Sequence, residues 1–340
     1  MSHEIDHSNG RANIAFAGET PWHGLGAQID PNASVDVWRE AAGLDWEILE
    51  APVMFAPEGA DSPVMAENLN RKVLYRSDTK APLHVVGGDY KTVQPSEILQ
   101  FIGESVEAMG WKMETAGSLS EGRQIWALAN TGAEGDVGHG DMMKGYLLAA
   151  TSCDYSMASI FDYTTVRVVC ANTLSYANEM RKDNPNRVKI RHATKVDIAA
   201  IKNKLGIAST SWERYMDNAR RMARTRLPVS KAREILRSVY ETDKNGTRVI
   251  EGEAVRLNDE EFVAKLKHPR NIMELYEGKA IGANMKSADG TAWGFVNAAT
   301  EFFDHHANPK NQSNRLSSAW FGWSSKAKED ITNKVLELCD

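Results

Sequence analysis

Three strand-like runs follow one another closely between Trp111 and Cys153: "WKMETAGSL", "RQIWALANTG" and "KGYLLAATSC". Each is rich in the β-branched, aromatic and aliphatic residues that suit a pleated, half-buried surface. Parallel neighbours need a crossover of a dozen or more residues, usually helical, and nothing of that kind fits here. The chain is therefore restricted to an antiparallel meander. The second connection, "AEGDVGHGDMM", is glycine-rich and polar and reads as the long tip of a hairpin. The preceding stretch "QPSEILQFIGESVEAMG" reads as a helix, with Ser96 as its cap and Ile98, Ile102, Val106 and Met109 on one face. After the meander, "IFDYTTVRVVCANTLSYANEM" opens as a short strand, about 159–168. From Cys170 onward, Leu174, Ala177 and Met180 fall at helical spacing. The class is α+β, with a helix-strand-strand-strand-helix core whose helices cover the sheet.

The rest of the chain divides around this core. Residues 1–20 read as a flexible arm, and 21–183 as the α+β unit. Two further strands, "RKVLYRSD" and "PLHVVGGDYKTV", precede the first long helix, and "SVDVWREAAGL" forms a short helix capped by Ser34. Residues 184–240 form a basic helical region, restarting after Pro228. Residues 241–270 read as acidic loop, and the end of the chain carries helices, the aromatic "TAWGFVNAATEFFDHH" and a last one in "NRLSSAWFGWSSKAKEDITNKVLELC". No apolar run approaches a membrane span, and the opening is too polar for a signal peptide. Three cysteines without metal-like spacing suit a reducing cytoplasm.

The formal charge of −6 hides an asymmetry. Between Glu179 and Arg237 there are 16 Lys/Arg against 6 Asp/Glu; the other residues hold 24 against 40. A polyanion partner suits the basic part, and a solvated helical face explains it equally. Arg167 stands among valines at the strand-to-helix change. An arginine there pairs with a carboxylate (Asp154 or Asp162), meets solvent in a groove, or meets a ligand, because burying it alone is costly. Lys91, Arg123, Lys144, Arg181 and Lys182 come from strand edges, hairpin bases and the following segment of the same unit. Tyr90, Tyr155 and Tyr163 add aromatic faces. Cations alternating with aromatics suit single-stranded nucleic acid, whose phosphates are neutralised while its bases stack.

Enzymatic readings find less support. Asp304-His305-His306 is the most metal-like cluster, yet adjacent helical positions diverge by about 100° each. A charged helix end is the alternative. No dinucleotide fingerprint or phosphate loop is present, and Glu260-Glu261 sits in an acidic stretch without nearby aromatics. A mechanism without nucleophile, metal or cofactor is expected.

"YRSDTKAPLHVVGGDYKTVQ", "GSLSEGRQIWALA", "TTVRVVCANTLSYA" and "GTAWGFVNAATEFFDHH…NRLSSAWFG" resemble, in order, a phage- and plasmid-associated bacterial family of unknown function (domain of unknown function 932). The resemblance spans roughly Trp22 to Leu338 and implies a mobile-element setting in a bacterial cytoplasm. The order of elements around Gly110-Trp111 and Gly122-Arg123 also resembles the core of the single-strand-annealing recombinases. That second likeness implies a homo-oligomeric ring or arc that holds single-stranded DNA in an outer groove and anneals it without nucleotide hydrolysis. The chain departs from the pattern by inserting 154–162 and adding a long helical C-terminal half. The competing expectation is a protein-interaction factor engaging a host or phage protein. Its basis is the acidic remainder of the chain and the aromatic cluster Trp320, Phe321 and Trp323.

Overall fold

The computed structural model describes residues 5–7, 10–18, 25–56, 58–59, 61–65, 70–154, 156, 158–167, 172–175, 187–190, 209–242, 247–250, 253–307 and 322–339. In chain order these begin with β1 (Ile14–Phe16), β2 (Ala27–Gln28), α1 (Val35–Ala41) and β3 (Ile48–Pro52). The short pair β4 (Met54–Phe55) and β5 (Val64–Met65) precedes β6 (Arg71–Arg76), β7 (Pro82–Gly87) and α2 (Pro95–Met109). The meander is β8 (Lys112–Leu119), β9 (Gln124–Asp136), β10 (Met142–Ser152) and β11 (Ser159–Arg167). It is followed by β12 (Asn172–Ser175) and β13 (Arg187–Ile190). Helices α3 (Ser209–Arg224) and α4 (Val229–Tyr240) lead to the hairpin β14 (Thr247–Ile250) and β15 (Glu253–Arg256). Helices α5 (Asp259–Lys265), α6 (Lys267–Glu274), α7 (Ala292–Glu301) and α8 (Trp323–Leu336) complete the chain. The fold is α+β, with an antiparallel meander and a helical C-terminal third. No helix among the described residues is long and apolar enough to cross a membrane.

The chain forms two compact units that do not follow sequence order. The first is Met1–Gly132, Tyr146–Tyr163 and Pro185–Ile207; the second is Ala133–Gly145, Thr164–Asn184 and Ala208–Asp340. Sequence boundaries at 20, 183 and 240 miss this interleaving, because a hairpin shared between two units leaves no break in composition.

In the first unit the strands run β11-β10-β9-β8-β1-β2, with β13 pairing β11 from Ser159 to Asp162. β8 and β9 are antiparallel, with Ala116 opposite Ala127 and a bulge between Met113 and Thr115. Helix α2 buries Ile98, Leu99, Phe101 and Ile102, and Phe101 packs on Phe161 with ring centroids 4.4 Å apart. Ser96 is not its cap. The helix opens at Gln94, whose side-chain amide exchanges hydrogen bonds with the backbone of Ile48 at 2.9 and 3.1 Å, while its N–H donates to Glu97. Gln94 thus ties α2 to β3 instead of serving the helix alone. Ser34 does cap α1, accepting from the Val37 N–H.

The segment read as an arm is built into this unit. Ile14, Ala15 and Phe16 are buried in β1, which pairs β8, and Ile5 bridges Leu119. Its polar composition misleads because Asp6 and Asn13 are themselves buried and bonded to each other.

In the second unit, Thr164 to Arg167 pair antiparallel with Ser175 to Asn172, so a strand stands at 172–175 where the spacing predicted helix; 168–171 and 176–180, the rest of that expected helix, lie outside the described residues. The helical spacing of Leu174, Ala177 and Met180 covers only three positions. Pairing satisfies N–H and C=O groups along an edge of β11 that would otherwise lie open. The β9–β10 tip is tight rather than long. β9 runs on to Asp136, whose carboxylate accepts from the N–H groups of Gly138 and Gly140, and the Val137 N–H closes onto the Asp141 carbonyl. Residues 241–270 hold a hairpin and two helices, not loop; Glu261 belongs to a capping box with Asn258. At the centre lies α7, buried along its whole length, capped by Thr291 and packed against α3 and α8. A Cβ at Gly294 would fall 1.9 Å from the Ala288 carbonyl oxygen, so glycine is required where α7 meets the preceding turn.

Candidate nucleic-acid interface

The residues singled out from the sequence are divided between the units. In the first, Lys91 is exposed and Arg123 half-exposed, 3.9 Å from Glu121. Tyr90 and Tyr163 are buried. The Tyr90 hydroxyl reaches the Ser152 carbonyl at 3.5 Å, and Tyr163 stands edge-on to Trp111. Burial pushes the Tyr163 phenol up to about 12. These two rings serve the core, and in this arrangement neither offers a face to a base. In the second unit, Lys144 lies 3.9 Å from Glu134 across the hairpin, and the backbone of Arg167 pairs with Asn172. The side chain of Arg167 lies outside the described residues, as do Tyr155, Arg181 and Lys182.

Helix α3 carries a basic ridge that this selection passed over. Tyr215, Met216, Ala219 and Met222 are buried on one side. Arg214, Arg221 and Arg224, at i, i+7 and i+10, occupy the other side; Arg214 and Arg224 are exposed, and Arg221 is half-buried and donates to Asn218 Oδ1 at 3.4 Å. Arg220 holds the helix to the hairpin tip through the Asp136 carbonyl at 3.1 Å. From Arg214 to Arg237 there are eight Lys/Arg and two Asp/Glu. The spacing was present in "ERYMDNARRMAR"; counting charge over a long window without splitting it by helix face concealed it.

Not all of these cations face solvent. Arg237 is buried and donates to Glu241 at 2.7 and 3.1 Å, to Asp259 at 3.0 Å and to the Leu257 carbonyl at 2.6 Å. It is a structural arginine clamping α4 to the start of α5. The hydrogen bond from Arg237 is the main reason the Glu241 carboxyl lies low, at about 2; burial opposes it and Arg256 adds to it. A depressed carboxyl contributes stability above its ordinary value of 4.5 and loses it as pH falls toward about 2. The difference in denaturation midpoint between the wild type and Glu241→Gln should therefore shrink across that window. A pH-independent difference would remove Arg237–Glu241 as its source.

The metal-like cluster is occupied internally. The Asp304 carboxylate accepts from Lys328 Nζ at 2.7 Å, with both side chains buried, and His306 Nε2 lies 3.4 Å from Glu301. Among the described residues no group of three metal-ligating side chains converges. Cys153 is fully enclosed, and burial drives its thiol pKa upward, the opposite of what a nucleophile needs.

No curated protein and no solved structure matches the chain. A family profile described as "Domain of unknown function (DUF932)" matches residues 82–320. The match takes in the meander, the basic helices and α7, 239 of the 340 residues. The chain belongs to the DUF932 family.

Proposed function

We propose that the protein binds single-stranded DNA and promotes its annealing, as a phage or plasmid recombination factor in a bacterial cytoplasm. The observation that carries this reading is the arginine ridge of α3, with Arg214, Arg221 and Arg224 on one helix face. Such a ridge neutralises successive phosphates of an extended strand and needs no nucleophile or cofactor. The strand β12, where the annealing recombinases have a helix, leaves the proposal resting on charge rather than on that likeness. Self-assembly into a ring or arc belongs to the proposal, because annealing needs two strands held side by side.

The test is fluorescence anisotropy of the full chain with a labelled single strand and a duplex, over a range of salt. Each phosphate contact on a single strand contributes about −0.7 to the slope of log affinity against log salt. Arg221→Glu with Arg224→Glu should flatten that slope by about 1.4 and weaken low-salt binding at least about tenfold. A wild-type protein that binds no single strand at low salt, while remaining folded, overturns the reading. The second reading is engagement of a host or phage protein. It is favoured by Met54 and Phe55, consecutive on the short strand β4 of the first unit and each more than half exposed.

A further inference from the structure

A cavity of about 680 Å³ lies within the second unit, under the connection from α3 to α4. Its volume is within the range of about 300–1,000 Å³ typical of small-molecule sites. Leu227, Pro228 and the buried ring of Tyr276 give it an apolar floor. The Tyr276 hydroxyl is engaged by the Leu227 carbonyl at 2.5 Å, so the ring is fixed. Arg226 and Asp289 supply opposite charges. One guanidinium nitrogen of Arg226 donates to the Asp289 main-chain carbonyl at 2.6 Å, and Gly290 lets the group lie close, since a Cβ there would be 3.0 Å from it. The Asp289 carboxylate remains on an exposed side chain. Both charges act on the Tyr276 hydroxyl, Arg226 lowering its pKa and Asp289 raising it, beneath the larger upward push of burial. Arg226 and Asp289 thus both line the cavity that Leu227, Pro228 and Tyr276 also line. Gly278, with φ 125°, is exposed and also lines the cavity.

We propose that this cavity takes a guanine base, with the Asp289 carboxylate on its Watson–Crick edge and Arg226 on its phosphate. The inference deepens the strand-binding reading, because Arg226 follows directly on the helix that carries the arginine ridge. The chemistry selects among bases. Guanine presents two adjacent donors, N1–H and the 2-amino group, which a carboxylate accepts in parallel. Adenine and cytosine set a ring-nitrogen lone pair beside their amino group, against the carboxylate. Thymine flanks its one N–H with two carbonyls. The base could arrive within a strand or as a free nucleotide, and the two sources separate experimentally.

Three probes are titrated against the full chain: oligo-dT, the same oligomer with one central guanine, and guanosine 5′-monophosphate. The central guanine should tighten binding about tenfold, in the range of a bidentate base contact. Asp289→Asn should abolish that gain while leaving oligo-dT binding unchanged, and Ala283→Phe, which fills the cavity, should do the same. Circular dichroism checks that both variants fold; Asp289→Asn, on an exposed residue, keeps the test alive if Ala283→Phe does not. Equal affinity for the two oligomers overturns the base site and leaves strand binding standing. If neither oligomer binds, strand binding fails. The monophosphate then decides: binding that Asp289→Asn removes supports the cavity as a free-nucleotide site, and no binding overturns it.

Discussion

Replacing Arg76 with methionine lowers the stability of the first unit by about 3–5 kcal/mol, the range for removing one partner of a buried ion pair. Arg76 is 1% exposed. Its guanidinium donates to Asp6 Oδ2 at 2.8 Å, to both oxygens of Asp78 at 2.9 and 2.7 Å, and to the Glu121 carbonyl at 3.0 Å. It also lies over the Trp46 ring, 4.3 Å from the centroid. A Cβ at Gly122 would fall 2.5 Å from its Nη1, so the turn between β8 and β9 needs glycine for this arginine as well as for its φ of 86°. Methionine fills the volume but leaves the Asp6 carboxylate buried without its cation. Burial would raise the Asp78 carboxyl, yet the bonds from Arg76 bring it below its ordinary value, so that contribution disappears too. Urea denaturation measures the total, and hydrogen exchange of first-unit amides locates it. Asp6→Asn added to Arg76→Met should recover part of the loss by removing the orphaned charge. A loss under about 1 kcal/mol for Arg76→Met would show that water or another cation replaces the guanidinium.

The same cluster explains what was legible in the sequence and what was not. The meander could be read because hydrophobic runs and short connections admit few topologies, and β8, β9 and β10 lie where those runs predicted. Helix α2 followed from apolar spacing in the same way. Asp6 could not be read, since a buried aspartate in "MSHEIDHSNG" has no periodicity and declares itself only through an arginine 70 residues away. The stretch "RVVCANTL" misled for a related reason: whether it turns back as a strand depends on an open edge of β11, not on its own spacing. The basic region was visible as composition, but its ridge, at i, i+7 and i+10, was hidden by counting charge over a long window without splitting it by helix face. Tyr90 and Tyr163, chosen for stacking, were not separable from core tyrosines, because both are buried against distant residues, Tyr90 reaching the Ser152 carbonyl and Tyr163 standing edge-on to Trp111.

Asp141 presents the second large effect, and from an unpromising place, a run of glycines and polar residues at the β9–β10 tip. Its side chain is fully buried in the second unit, and one oxygen, Oδ2, accepts from both Ser287 Oγ at 2.7 Å and Trp293 Nε1 at 2.9 Å. Trp293 lies in the first turn of the buried helix α7, so a single carboxylate fixes the tip, the turn before α7 and its largest side chain. Hydrogen bonds to a charged group contribute about 1.5–3 kcal/mol each, and truncation also strands two buried donors. Asp141→Ala should therefore cost the second unit roughly 3–5 kcal/mol. Asp141→Asn, which keeps an acceptor in place, should cost less. Repeating the alanine substitution in a Trp293→Phe background isolates the indole bond. The loss due to Asp141→Ala should shrink there by about 1–2 kcal/mol, the coupling expected of residues in direct contact. Exchange of the Trp293 indole proton gives an independent reading, accelerating in Asp141→Ala. If the two substitutions were additive and that exchange unchanged, the hairpin tip would be held by its backbone turn alone, with Asp141 a passenger in it.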